Sequence, residues 1–177
     1  VIAGSIIIKE KNNYYNRLIW MRPNCSYQSY DKRHLFAMGR EHKAFTAGTE
    51  RLVIELNGWK ICPMICYDLR FPAWARNTEN YDLLIYVANW PSPRHKAWET
   101  LLRARAMENL SYCLGVNRIG DDANGLSYLG GSVVLDYLGN PMTEDDSSAG
   151  IRSAELNLTS LRAFRDKFPT GMDSDAF

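Results

Sequence analysis

Residues 61–72 read Ile61-Cys62-Pro63-Met64-Ile65-Cys66-Tyr67-Asp68-Leu69-Arg70-Phe71-Pro72. The run from Trp59 to Cys66 is mostly apolar, which predicts a buried strand. A turn at Tyr67-Asp68 follows it, and a short helix is predicted over Phe71–Asn77, where Pro72 stands near the start and its fixed φ is tolerated. A buried strand that runs into a tight turn and then a helix is typical of an α/β domain.

Downstream of this stretch, apolar runs alternate with helical periodicity. Between residues 94 and 109, apolar residues recur at helical spacing with charged residues between them, so a helix is predicted there. Arg105 and Glu108, three positions apart on it, are expected to form a structural ion pair. The other predicted elements are strands at 82–88, 112–116, 131–136 and 151–158, and a last short helix at 161–168.

Upstream of it, the chain opens with two β-rich runs, residues 2–8 and 14–22. The polar residues 9–13 between them are turn-prone, which predicts a hairpin. Residues 51–56 alternate as another strand does, whereas residues 24–45 are polar and rich in ionisable groups and are predicted to be mostly loop. Together these elements favour an α/β fold with mixed sheets packed by helices.

The composition fits one globular domain, because 46% of the 177 residues are apolar and 23% are charged. The 21 basic and 20 acidic residues form no long run of one sign, so neither nucleic acid nor a membrane surface is an expected partner. Every apolar run is far shorter than the roughly 20 residues that cross a bilayer. Four cysteines do not make a disulfide framework, which favours reduced thiols and a cytoplasmic location.

The chain begins with Val1 and continues directly into the apolar residues 2–8, as the middle of a sheet does. No signal peptide is visible within these residues. The expectation from this start is that the domain is incomplete at its amino terminus.

Cys66 is the candidate nucleophile, because a thiol at the end of an apolar strand and just before a turn can be exposed on a rigid support. A nearby helix amino terminus and an adjacent cation are expected to lower its pKa from about 8.5 and to favour the thiolate. The other three cysteines, Cys25, Cys62 and Cys113, are expected to be ordinary core residues.

Lys32 and Glu41 lie in the polar segment that precedes the cysteine stretch. A lysine supplies a compact charge with three donors, which suits a developing oxyanion or a thiolate. Glu41 could accept a hydrogen bond from that lysine. Each residue taken alone is also typical of a solvated surface position.

The sequence offers three other kinds of site as alternatives to this one. His34 and His42 leave open a Cys-His pair of the papain kind, in which imidazole takes the thiol proton. A metal site has little support, because the histidines and cysteines do not stand at ligand spacing. The segment at Gly130-Gly131-Ser132 lacks the lysine and helix of a phosphate loop, so no nucleotide or other cofactor is expected.

The sequence resembles the nitrilase superfamily, the carbon-nitrogen hydrolases, in three separate segments that occur in the family's order. The first runs from Tyr30 to Phe36 and continues through Gly39-Arg40-Glu41-His42, the second is the stretch 61–72, and the third joins Ala88-Asn89-Trp90-Pro91 to residues 103–109. The wording of the first two is most similar to the omega-amidase branch. The resemblance covers nearly the whole chain.

This resemblance implies a nitrilase-like αββα sandwich, of which residues 1–177 would form the carboxy-terminal portion. It also implies a Glu-Lys-Cys triad, in which Cys66 matches the nucleophile, Lys32 the lysine and Glu41 a second, supporting glutamate. Tyr67 would lend its backbone N–H to the oxyanion hole. Subunits of the family pair through helix layers, so a homodimer or higher homo-oligomer is expected.

The reaction that the resemblance implies is hydrolysis of a small linear amide, such as the terminal amide of a dicarboxylic 2-oxo acid, through a cysteine thioester. The expected partner is therefore a small-molecule amide. Arg70 is a candidate for binding its acidic end, with Trp90 and Asn89 shaping the pocket, although Arg70 could equally be a structural ion-pair partner.

The sequence departs from the family pattern at the general base. In the family a glutamate precedes the lysine by a long interval, and no matching motif precedes Lys32 in this sequence. Glu10 and Asp31, the carboxylates upstream of Lys32, stand outside any such motif. The alternative hypothesis is therefore a catalytically silent domain with the same fold that serves in binding or oligomerisation.

Overall fold

A computed structural model of the protein describes residues 1–143 and 148–173. Its first layer is an antiparallel sheet of three strands in the order β1-β2-β3. β1 (Ile2–Glu10) and β2 (Asn13–Met21) form the expected hairpin, and β3 (Tyr27–Asp31) pairs with β2. The prediction that residues 24–45 are mostly loop is therefore wrong over β3, where backbone pairing with β2 orders a polar segment.

The second sheet has five strands in the order β10-β7-β6-β5-β4, and its three central strands are parallel. A two-stranded ribbon, β8 with β9, lies apart from it and connects β7 to β10. The bounds of these strands are β4 Ile54–Leu56, β5 Trp59–Ile65, β6 Leu83–Ala88, β7 Tyr112–Asn117, β8 Ile119–Asp121, β9 Ser127–Leu129 and β10 Val133–Leu135.

Four α-helices complete the described fold: α1 (Glu41–Ala44), α2 (Pro72–Ala75), α3 (His95–Asn109) and α4 (Leu158–Lys167). α3 connects β6 to β7 and buries Trp98 and Leu102 against the sheet. A Cβ atom at Gly115 of β7 would lie 2.4 Å from a methyl carbon of Leu102, so only glycine permits this approach. In the described residues, no helix is long and apolar enough to cross a membrane.

The two sheets share one hydrophobic core. Leu18 and Tyr30 of the first sheet belong to the same buried cluster as Ile54 and Met64 of the second. β6 is buried along four consecutive residues, 83–86, as a strand covered on both faces must be. Helix, sheet and sheet therefore stack in the order that an αββα sandwich requires.

The carboxy-terminal segment differs from its prediction. Residues 151–157 form no strand, although Leu156 and Leu158 pack against the core. The alternation that predicted a strand thus reflects side-chain packing alone. The backbone N–H of Asn157 instead donates to the hydroxyl of Tyr112, 3.2 Å away.

Candidate active site

Cys66 follows the last residue of β5 and begins a 3₁₀ turn, Cys66–Arg70. The backbone φ of Cys66 is +45°, a left-handed conformation that residues other than glycine rarely adopt. Such strained residues cluster at functional sites, where the surrounding structure holds them in place. The thiol is partly exposed and donates a long hydrogen bond of 3.9 Å to the carbonyl of Asn89.

Lys32 is buried directly after β3, with 2% of its surface exposed. Its ammonium donates to both carboxylate oxygens of Glu41, at 2.9 and 2.7 Å. Glu41 stands at the start of α1 and also accepts the backbone N–H of Phe36 at 2.8 Å. The carboxylate thus holds the lysine in one place and offsets its charge, as a supporting glutamate would.

Residues 32–48 form a closed loop, here called the lysine loop, whose two ends meet at a narrow neck. The backbone N–H of Gly48 donates to the carbonyl of Lys32 at 3.0 Å, and Arg33 donates to the carbonyl of Gly48 at 3.1 Å. A Cβ atom at Gly48 would lie 2.2 Å from the carbonyl oxygen of Asp31. Glycine is therefore required for the neck to close.

Asp68 is fully buried and joins the lysine loop to the cysteine turn. Its carboxylate accepts the Tyr30 hydroxyl at 2.7 Å, the backbone N–H of His34 at 2.9 Å and the backbone N–H of Ile65 at 3.1 Å. The His34 ring nitrogen Nδ1 lies 2.8 Å from the same carboxylate. One side chain therefore fixes the backbone on both sides of the candidate site.

The candidate residues meet around one cavity of about 170 Å³. All seven side chains that the sequence singled out line it: Lys32, Glu41, Cys66, Tyr67, Arg70, Asn89 and Trp90. Six further lining residues were not predicted: Phe36, Gly39, Pro91, Arg94, Leu126 and Tyr128. A larger cavity of about 250 Å³ near Arg76 and Arg165 is lined by neither cysteine nor lysine among the described residues.

Three of these six residues, Phe36, Gly39 and Pro91, lie in segments that carry the family resemblance but have no role assigned by it, and the other three lie outside those segments. Phe36 belongs to the lysine loop, and Arg94 precedes α3. Tyr128 lies in β9 of the β8–β9 ribbon, and Leu126 directly precedes that strand. The sequence pattern did not predict this ribbon. Asn117, also unpredicted, holds the Trp90 backbone by accepting its N–H at 2.7 Å and donating to its carbonyl at 3.0 Å.

The histidine alternative finds no support in this geometry. Neither His34 nor His42 is among the described residues that line the cavity. The Nδ1 atom of His34 is engaged with Asp68, its ring stacks on Phe71 at 3.7 Å between centroids, and His42 is exposed. A Cys-His pair with Cys66 is therefore not formed.

The other cysteines follow their expectation in two positions of three. Cys62 and Cys113 are buried in the core, and burial raises the pKa of Cys62 to about 12. Cys25 is exposed, so its assignment to the core is wrong. It lies between β2 and β3 with a φ of +63°, in a tight turn rather than in a strand.

The two carboxylates upstream of Lys32, those of Glu10 and Asp31, are not among the described residues that line the cavity. Arg17 binds both of them, Asp31 at 2.7 Å and Glu10 at 3.0 Å. Among the described residues that line the cavity, Glu41 is the single carboxylate. Across residues 1–143 and 148–173, no group of three His, Cys, Asp or Glu side chains could hold a metal ion.

The cysteine turn is supported from α3. Arg105 is buried and pairs with Glu108 at 2.9 Å, which confirms the structural pair that the sequence predicted. The same guanidinium donates to the carbonyl of Leu69 at 2.7 Å. The helix therefore anchors the turn that presents Cys66.

Burial raises the pKa of the Cys66 thiol above its ordinary value. Lys32 acts in the opposite direction but with a smaller effect. The expectation that the pKa is lowered is therefore wrong, because desolvation of the thiolate outweighs the nearby cation. At neutral pH the resting thiol is protonated, and attack requires a base to take its proton.

The pH dependence of alkylation tests this directly. Labelling of Cys66 by iodoacetamide is expected to rise with pH about a midpoint above that of N-acetylcysteine, because only the thiolate reacts. Peptide mass spectrometry after timed quenching across a pH series gives the profile of Cys66 alone. A midpoint below that of the reference thiol would contradict the raised pKa.

Comparisons with known proteins identify the family of the chain. The family model described as carbon-nitrogen hydrolase matches residues 1–166. The omega-amidase YafV of Yersinia enterocolitica is 48% identical in an alignment of 178 positions that covers 100% of this chain and 70% of that protein. A 2-oxoglutaramate amidase of Bacillus subtilis is 34% identical in an alignment of 172 positions that covers 96% of this chain and 66% of that protein.

A solved structure extends the agreement to the fold. XC1258 of Xanthomonas campestris, a CN-hydrolase superfamily protein with an arsenic adduct in its active site, superposes with a TM-score of 0.89. It is 44% identical, and the match covers 99% of this chain and 69% of that one. The fold and the family expected from the three sequence segments are thus confirmed: the chain belongs to the carbon-nitrogen hydrolase family, and it is a hydrolase of carbon–nitrogen bonds with the nitrilase-like α/β fold.

Proposed function

We propose that the enzyme hydrolyses the terminal amide of a short dicarboxylic 2-oxo acid, such as 2-oxoglutaramate, and releases ammonia. The observation that carries the proposal is that Cys66, Lys32 and Glu41 line one small cavity. The relatives named as an omega-amidase and a 2-oxoglutaramate amidase support the choice of amide. A volume of about 170 Å³ suits a short acyl chain.

In the proposed reaction, a general base takes the proton of the Cys66 thiol, and the resulting thiolate attacks the amide carbon. The family resemblance gives this role to a glutamate that has no matching motif in this sequence. Lys32 and the backbone N–H of Tyr67 stabilise the negative oxygen that forms. The same base gives that proton to the nitrogen, which leaves as ammonia and produces a thioester, and water then hydrolyses the thioester to the free acid and the thiol. Glu41 serves as the positioning residue that keeps the ammonium of Lys32 in the cavity, through the two hydrogen bonds between them.

The acidic end of the substrate is proposed to bind Arg70. Its guanidinium lies 5.1 Å from the centroid of the Trp90 ring and lines the cavity. Among the described residues, no carboxylate lies within ion-pair distance of Arg70, which favours the binding role over a structural pair.

Trapping of the thioester tests the proposal. Brief incubation with excess 2-oxoglutaramate, followed by acid quenching, is expected to leave an acyl adduct on the peptide that contains Cys66. Cys25, an exposed free thiol in the same chain, is the internal control and is expected to stay unmodified. The absence of any adduct on Cys66 under turnover conditions would favour the catalytically silent alternative.

The domain organisation, the cellular location and the pairing of subunits are also proposals. Buried residues from Leu18 to Leu161 share one core cluster, which supports a single domain over residues 1–177. Free thiols at all four cysteines suit a reducing, cytoplasmic setting. Pairing of subunits through helix layers is proposed to use α3 and the carboxy-terminal segment, where Met107 and Phe168 expose 54% and 55% of their surfaces.

A further inference from the structure

We propose that Arg94 is a second substrate-binding guanidinium, which acts with Arg70 to select amides whose acyl chain ends in a carboxylate. The inference deepens the proposed function and rests on it for the identity of the substrate. Arg94 ends the 3₁₀ turn Ser92–Arg94, directly before α3, and is partly buried. Its side chain lines the same cavity as Cys66.

Two aromatic rings hold the two guanidinium groups. Arg94 lies 5.1 Å from the ring centroid of Phe36, and Arg70 lies 5.1 Å from that of Trp90. A guanidinium over an aromatic face is attracted to the ring without using its N–H donors. Both groups therefore keep donors for a bidentate acceptor such as a carboxylate.

The charge of the cavity lining points to an anionic ligand. Glu41 offsets the charge of Lys32, so the positive charges of Arg70 and Arg94 remain. Within the described part of the chain, the guanidinium of Arg94 makes no hydrogen bond and no ion pair with a carboxylate. The surface-facing pairs of Arg17 and Arg51 show the contrast, because each binds a carboxylate of this chain.

The position of Arg94 is unfavourable for the helix that it precedes. It occupies the N-cap of α3, and the helix macrodipole disfavours a cation there. No side chain caps this helix end. A cation that costs helix stability and faces a cavity is therefore better explained by what the cavity binds.

The two binding groups are connected through Trp90. The indole N–H of Trp90 donates to the carbonyl of Arg94 at 2.7 Å, and the Arg94 N–H donates to the carbonyl of Pro91 at 3.0 Å. The ring that backs Arg70 thus also fixes the backbone of Arg94. The pair is organised before the substrate enters, which reduces the entropy cost of binding.

A pair of alkylating reagents measures this selectivity without amide hydrolysis. Iodoacetate and iodoacetamide are nearly the same size and attack the same thiol, but only iodoacetate carries a negative charge. The Arg94→Gln variant is expected to lower the rate of Cys66 labelling by iodoacetate by about five- to tenfold, because a nearby charge is lost. Its iodoacetamide rate is expected to stay within about twofold of the parent protein.

Three controls accompany the variant. Lys96→Gln removes an exposed positive charge two positions away that does not line the cavity, and it is expected to leave the reagent ratio unchanged. Arg94→Met keeps an apolar stem over Phe36 and is expected to give the same ratio as Arg94→Gln. The exposed Cys25 reports the intrinsic preference of each reagent in every sample.

Two results would overturn the inference. The first is an equal slowing of both reagents at Cys66 in Arg94→Gln and in Arg94→Met. The second is a Lys96→Gln variant that changes the ratio as much as the Arg94 variants do. A protein that shows the expected ratio but forms no thioester with 2-oxoglutaramate would instead contradict the proposed function alone.

Discussion

Replacing Lys32 by methionine is expected to lower turnover by about 100- to 1000-fold, the usual loss when one oxyanion donor is removed. The ammonium is buried and fixed by Glu41, so no water takes over its position. Because Lys32 also lowers the pKa of Cys66, its removal raises that pKa further and slows alkylation at neutral pH. Steady-state ammonia release and iodoacetamide labelling measure the two effects separately.

The same substitution leaves the Glu41 carboxylate without its partner. The expected destabilisation is about 3 kcal/mol, at the lower end for a broken buried pair because 22% of the Glu41 side chain is exposed. The double variant Lys32→Met/Glu41→Gln removes both charges and is expected to recover most of the stability but none of the turnover. Turnover within tenfold of the parent enzyme in the single variant would contradict the oxyanion role.

Replacing Asp68 by alanine is expected to destabilise the protein by about 3–5 kcal/mol. The carboxylate is fully buried, and its loss leaves the Tyr30 hydroxyl and the backbone N–H groups of His34 and Ile65 without an acceptor. Each unsatisfied buried donor costs about 1–3 kcal/mol. The midpoint of urea unfolding, followed by circular dichroism, measures the change.

Two aspartate controls bracket that effect. Asp68→Asn keeps one oxygen acceptor and is expected to lose less stability than Asp68→Ala. Asp166→Ala changes an exposed residue of α4 and is expected to stay within about 0.5 kcal/mol of the parent protein. An Asp68→Ala variant with an unchanged unfolding midpoint would show that contacts other than those of Asp68 hold the lysine loop to the cysteine turn.

The elements that the sequence predicted correctly are those whose side chains are buried in a regular pattern. β5 and β6 are continuous apolar runs, and α3 carries a helical period, so burial and pattern coincide. β3 was missed because Tyr30 is its one buried residue and the rest of it is polar. Its strand conformation comes from backbone bonds to β2, which no local pattern records.

The residues of the candidate site could be predicted only where they lie in the three segments of this sequence that resemble the family. Cys66 and Lys32 lie 34 positions apart in the sequence, and composition or periodicity could not have brought them together. Arg94 and Tyr128 were missed for the same reason, since each reaches the cavity from an element with another local role. The predicted direction of the Cys66 pKa shift was wrong because desolvation depends on burial, and the burial of a side chain cannot be read from the sequence.

The narrow neck of the lysine loop, residues 32–48, brings the two ends of the loop into contact. Its ends are tied to each other at Gly48, and two further contacts hold the chain between them: Asp68 accepts the backbone N–H of His34, and the Tyr14 carbonyl accepts that of Thr46. The lysine loop contributes Phe36, Gly39 and Glu41 to the lining of the cavity. Substitutions that keep these contacts can therefore reshape one wall of the pocket while the cysteine turn, which Arg105 also anchors, keeps its geometry.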